Sequence, residues 1–328
     1  MSRARVVNGL RIALALLVLA AVAAAVVRNW TSVSADVRRI DARTFALAAG
    51  LVCLAPILTM LGWRILLADL GSPVHLAPAG GIFYVGQLGK YLPGSVWSIV
   101  AQAEMGARLD IPRRRSAVVG LMTLGIATVC GLIVGLPAVP LLISRNGDSS
   151  AAAWTLVPGL ALLGFLMWPR LLNWGIRLGL RILRREPLEQ ELSGRAVLRS
   201  IVCFILAWLC SGLHILVLAR ATGAGHGGTS QLVVASVAGF ALASTLAIFS
   251  VLLPAGVGVR EGLLVLVLAP VTSVSAATAV VVVSRFLTVL SDVVFALLGW
   301  AWARSHHLIT TRADRERGQV VVADETDG

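Results

Sequence analysis

About seven stretches of this 328-residue chain are long and apolar enough to cross a lipid bilayer. They lie at residues 10–27, 44–67, 116–143, 151–168, 198–219, 231–253 and 276–303. A spanning helix needs about 20 mostly apolar residues. Hydrocarbon offers unpaired backbone groups no partner, so such stretches are helical. The expected fold is all-α: a polytopic transmembrane helical bundle with about seven spanning helices. Composition agrees, with 58% hydrophobic and 13% charged residues and a mean hydropathy of +0.88. A soluble domain would carry about a quarter charged residues. Residues 1–303 read as one transmembrane domain, and 304–328 as a polar, disordered cytoplasmic tail.

Two apolar stretches are broken. Residues 79–104 contain Lys90 and Pro93-Gly94, and residues 231–271 contain Pro254-Ala255-Gly256-Val257-Gly258-Val259-Arg260-Glu261. Irregular backbone at membrane depth must be buried in protein or line a wet cavity. Interrupted segments in corresponding positions of two halves point to a transporter-like binding site. Pro93, Gly94, Pro254, Gly256 and Gly258 are the expected structural hinges.

The net charge of +12 rests almost wholly on arginine; Lys90 is the one lysine. Arginines cluster at 108–115, at 170–199 and beyond 304, in short loops beside apolar spans. That is the positive-inside pattern, and it argues against nucleic acid as a partner. Both termini then lie in the cytoplasm. Arg28, Arg38, Arg39 and Arg43 run against the rule, in a loop that this topology places outside. Arg3, Arg5 and Arg11 before an apolar run, with Ala23-Ala24-Ala25 at its end, also suit a cleaved signal peptide. The length of the run favours a retained first helix. With the rich loops on one side, residues 79–104 must enter and leave from that side, and 231–271 from the other. Helix, re-entrant hairpin, helix then occurs twice in opposite orientations, as an inverted repeat.

Charge inside a membrane span is costly and usually marks a pathway. The candidate substrate-binding residues are therefore Lys90, Arg260, Glu261, Arg285 and Asp292. Lys90 and Arg260 adjoin the breaks, where half-helix N-termini attract anions. Glu261 would neutralise Arg260 in an empty site or couple to a proton. Arg285 and Asp292 share one face of the last helix. The plainer alternative is a set of ion pairs that stitch helices together, with Lys90 snorkelling to an interface.

No HExxH, GxSxG or P-loop occurs, and the five histidines form no constellation. Catalytic residues, metals and cofactors are not expected. Cys53, Cys130, Cys203 and Cys210 read as small buried apolar residues. Gly131-xxx-Gly135 predicts close helix packing. Residues 170–185 mix arginines with Leu, Ile and Trp and predict an interfacial helix on anionic lipid.

Lys90-Tyr91-Leu92-Pro93-Gly94, the Leu253–Glu261 motif and Ser284-Arg285-Phe286 together resemble the lysylphosphatidylglycerol synthase transmembrane-region family of flippase-like proteins. The resemblance spans roughly residues 10–303. In the first half it departs from the family pattern, since Ser95-Val96-Trp97 follow the first Pro-Gly where an acid is common. It implies the membrane half of such synthases without the aminoacyl-transfer domain. The implied function is movement of a lipid or lipid-linked sugar with an anionic headgroup, in cell-envelope biogenesis. Its partners would be membrane lipids, polyprenyl-phosphate-linked glycans among them. The alternative is a non-transporting anchor for an envelope glycosyltransferase. Neither reading makes the chain an enzyme.

Overall fold

In the computed structural model, residues 30–91, 96–143, 149–222, 228–249 and 258–306 are described. Every regular element among them is helical. In chain order these are α1 (Trp30–Arg38), α2 (Ala42–Asp69), α3 (Leu76–Gln87) with a 3-10 turn Leu88–Tyr91, and α4 (Trp97–Ala107). There follow α5 (Arg113–Gly135), the short α6 (Val139–Ile143), α7 (Ser149–Leu166) and α8 (Pro169–Ile182). The last four are α9 (Gly194–Ala221), α10 (Thr229–Ile248), α11 (Val259–Leu268) and α12 (Val274–Ser305).

Side-chain caps start several of the long helices. Asp41 accepts from Thr44 N, Ser193 Oγ from Ala196 N and Ser273 Oγ from Ala276 N. Among the described residues, five helices are long and apolar enough to cross a membrane, or six if the bent pair Leu156–Leu166 and Pro169–Ile182 is one span. The expected seven spans remain compatible with this. The span 10–27 lies outside the described residues, as does the tail from 307 onward. The expected span 151–168 corresponds to α7, which meets α8 at 59°. Along α8, Asn173, Ile176 and Leu180 are buried, while Trp174, Ile182 and the arginines are exposed. This is the sidedness expected of the predicted interfacial helix.

α2 and α9 lie antiparallel along their whole length. At one end Ser193 N donates to Asp69 Oδ2 at 2.7 Å and Ser193 Oγ to Asp69 Oδ1 at 2.8 Å. Midway, the Phe204 ring sits on Gly62. At the other end Arg39 donates to the Thr222 carbonyl at 3.0 Å. Arg39 thus joins the end of the bundle opposite the basic loops, as the topology requires despite the charge rule.

Both broken hairpins are present. α3 and α4 pack antiparallel, with Gly86 against Gln102 and Gly89 against the Trp97–Ser98 backbone. At 12 and 11 residues they are only about 17–18 Å long, too short to span about 30 Å of hydrocarbon. α10 packs on α11, with Gly239 against Val267, and the 10-residue α11 is about 15 Å long. The turns themselves, and with them Pro93, Gly94, Pro254 and Gly256, lie outside the described residues. Gly258 is described: it precedes α11 with φ +89°, a left-handed conformation that suits glycine.

The packing repeats under exchange of the two units. α3 runs along α12 as α10 runs along α5; α4 meets α5 as α11 meets α12; α5 meets α9 as α12 meets α2. With α2 and α9 antiparallel, the units are related as an inverted repeat. The expected close packing at Gly131 and Gly135 is found where α5 crosses α10: Gly131 faces Thr245 and Trp208, and Gly135 faces the Leu242 backbone. Large apolar side chains such as Leu54, Leu206, Leu297 and Leu298 point outward, forming the apolar exterior that a bilayer solvates.

Candidate functional site

The two hairpins end at the same helix. Lys90, at the tip of the first, places Nζ 2.7 Å from Asp292 Oδ1 on α12. Tyr91, the next residue, donates its hydroxyl to Asp292 Oδ2 at 2.6 Å. One carboxylate therefore holds two groups of the first hairpin. The second hairpin approaches α12 at Arg285, seven residues earlier, which is about 10 Å along the axis.

Glu261 organises that second contact. Its Oε2 accepts from Gly258 N at 2.6 Å, capping the first turn of α11. Its Oε1 lies 3.4 Å from the Arg260 guanidinium and 3.5 Å from that of Arg285. Neither arginine hydrogen-bonds Oε1, which has no hydrogen-bond partner. Arg260 lies over the Phe240 ring at 5.5 Å, and His214 meets the same ring edge-on. A guanidinium stacked on a ring keeps its N–H fork free to face a planar or tetrahedral oxyanion.

These groups border one cavity of about 460 Å³ between the hairpins and the α2–α9 pair. Lys90, Arg260, Arg285 and Asp292 line it, and Glu261 sits behind the two arginines. All five expected binding residues thus converge on a single place. They bring three cations against two carboxylates. The rest of the wall is apolar or uncharged and polar, including Gln102, Thr123 and Ser291.

Several lining groups are not singled out by sequence reasoning. Tyr91 lies inside a recognised motif, yet its hydroxyl partner is more than two hundred residues away in the chain. His214 belongs to no metal-ligand set, but it is fully buried, lines the cavity and hydrogen-bonds Ser284 Oγ at 2.8 Å. Its signal is an ionisable ring in the middle of an apolar span. Glu104 does not reach the cavity; it forms an exposed two-pronged pair with Arg113 at 2.9 and 3.0 Å.

The family model described as lysylphosphatidylglycerol synthase TM region matches residues 10–303. The chain belongs to this family. The match covers both hairpins, both long antiparallel helices and every residue of the charged cavity. As a lysylphosphatidylglycerol synthase TM region protein it is a multi-pass integral membrane protein. No curated protein matches the chain.

Proposed function

We propose that this family member carries an anionic headgroup, of a lipid or a lipid-linked sugar, between the two leaflets, in the building of the cell envelope. One observation supports this most: the cavity between the two hairpins carries three cations against two carboxylates. A positive excess at that depth is costly unless an anion arrives to share it. Lys90, Arg260 and Arg285 would contact the headgroup, with Glu261 and Asp292 holding them in place while the site is empty.

The reading is transport and not catalysis. His214 and Ser284 form a close pair, but Ser284 lies off the cavity wall, and among the described residues no carboxylate orients the imidazole as a nucleophile's base requires. No nucleotide-binding motif is present, so movement would follow an ion gradient or a downhill flow of lipid.

The test is leaflet exchange in proteoliposomes, using fluorescent phosphatidylglycerol, a prenyl-phosphate sugar and phosphatidylcholine with an impermeant quencher. Exchange of the anionic lipids should exceed that of phosphatidylcholine and of protein-free vesicles. Equal rates for every lipid, with an envelope glycosyltransferase recovered in complex with the chain, would replace transport with an anchoring role.

The proposed location is the cytoplasmic membrane, with both termini in the cytoplasm, because the basic loops gather at the end of the bundle where α12 finishes. An impermeant maleimide should label an Arg38→Cys variant in intact cells and leave Ser305→Cys unlabelled until the membrane is opened. The opposite pattern would invert the orientation.

A further inference from the structure

Resting on that reading, we infer that His214 is a separate binding site for a proton, taken up from water together with the anion. In a transport cycle the proton is then the coupling ion. The imidazole belongs to neither hairpin. It stands on α9, is fully buried and borders the cavity. Nε2 lies 2.8 Å from Ser284 Oγ on α12, and Nδ1 has no hydrogen-bond partner. A hydroxyl both donates and accepts, so either neutral tautomer can gain a proton without losing the Ser284 contact. Imidazole is also the side chain whose charge changes near neutral pH.

The groups around the ring decide when it carries charge. Phe240 on α10 meets it edge-on at 5.2 Å between ring centres, and the Arg260 guanidinium of α11 lies over the same phenyl ring. α12 adds Arg285 and Asp292 to the cavity wall, and the first hairpin adds Tyr84, Lys90 and Tyr91. Among the described residues, α2, α5 and α10 offer the wall no ionisable side chain. The turns 92–95 and 250–257 contain none in their sequence. Lys90 and Asp292 pair at 2.7 Å, and Glu261 is divided between Arg260 and Arg285 at 3.4 and 3.5 Å. One positive charge is thus unmatched before the ring gains a proton. A proton in the empty site would add a second, where unpaired charge is costly. An anion at the arginines removes that obstacle. Each ligand then lowers the cost of the other, which is the reciprocal coupling of two sites. Glu261 and Asp292 are the rival acceptors, but both already face cations and accept hydrogen bonds, whereas the imidazole faces no carboxylate partner.

The test reads proton uptake separately from transport. Full-length protein in detergent and weak buffer is mixed with short-chain phosphatidylglycerol, whose phosphodiester does not titrate in the range used. A pH-indicator dye reports the protons taken up, and the shift in thermal midpoint reports affinity; phosphatidylcholine is the control. Because the complex holds more protons than its parts, affinity should rise as pH falls from about 8 to about 5, by up to about tenfold per unit. Uptake should approach about one proton per lipid in the steep region. His214→Gln should abolish the uptake and flatten the profile, and His214→Phe, which keeps a ring against Phe240, stands in if the first variant does not fold. If neither histidine variant folds, Glu261→Gln and Asp292→Asn decide: uptake that vanishes in either assigns the proton to that carboxylate and overturns the inference, and uptake that persists in both supports His214. No uptake and a flat profile in the wild type overturn it, as does a slope that persists in a folded His214 variant. Leaflet exchange of the anionic lipid without proton uptake would overturn this inference alone. Proton-linked binding without any exchange would leave it standing and overturn the transport reading.

Discussion

Arg260→Ala should slow leaflet exchange of an anionic lipid by about thirtyfold or more, while the protein stays folded. The magnitude follows from removing the charged partner of a buried anion, about 2–5 kcal/mol. Loss of the arginine brings the cavity from a net positive charge to neutrality, so the drive to recruit an anion disappears. The local fold has reason to survive. Glu261 still caps Gly258 at 2.6 Å and still faces Arg285 at 3.5 Å. Arg260→Lys keeps the charge without the planar fork and should fall between wild type and alanine. A rate for Arg260→Ala equal to wild type, with an unchanged thermal midpoint, would remove this residue from the headgroup path.

The largest stability loss is expected at Gly135, where the first unit touches the second hairpin. A Cβ there would lie 2.7 Å from Leu242 N and 2.8 Å from Leu242 Cα. These are backbone atoms of α10, so no side chain can rotate away; the helices would have to separate. Gly135→Leu should therefore cost about 3 kcal/mol or more, the upper range for overpacking a filled contact. Gly125, on the same helix, has no heavy atom within 4 Å of its would-be Cβ. Gly125→Ala should be neutral or slightly stabilising, by up to about 1 kcal/mol of helix propensity. The fraction folded during titration with a denaturing detergent compares the two. A Gly135→Leu protein as stable as Gly125→Ala would show that the α5–α10 crossing is looser than described.

Much of the fold is legible in the sequence because hydrocarbon permits so few choices. A run such as 198–219 has to be helical, and basic loops on one side force 79–104 to return to where it started. The closeness of the Gly131-xxx-Gly135 crossing is legible for the same reason: without a bulk hydrophobic drive between spans, small residues mark where backbones meet. Span ends are less legible. α2 begins at Ala42 and α9 at Gly194, because their starts are set by the caps Asp41 and Ser193 and not by apolarity.

At the site, the five charged residues stand out through their cost in an apolar setting, but their pairing does not. Arg260 and Glu261 adjoin in sequence, which suggests a self-contained pair. The carboxylate instead divides itself between a helix cap and two arginines. Asp292 pairs with Lys90 across most of the chain, a match that no local spacing encodes. His214, Phe240 and Tyr91 join the site only because α9, α10 and the first hairpin are brought together by packing.

The antiparallel α2–α9 pair has a further consequence. It is fastened at both extremities and filled midway by Phe204 on Gly62. Such a rod cannot shear or splay without losing several bonds at once, whereas Lys90 and Tyr91 of the first hairpin meet α12 at the single carboxylate of Asp292. Any opening of the cavity would then be asymmetric in stiffness: a rigid keel would stay put, and the displacement would fall to the elements packed around it.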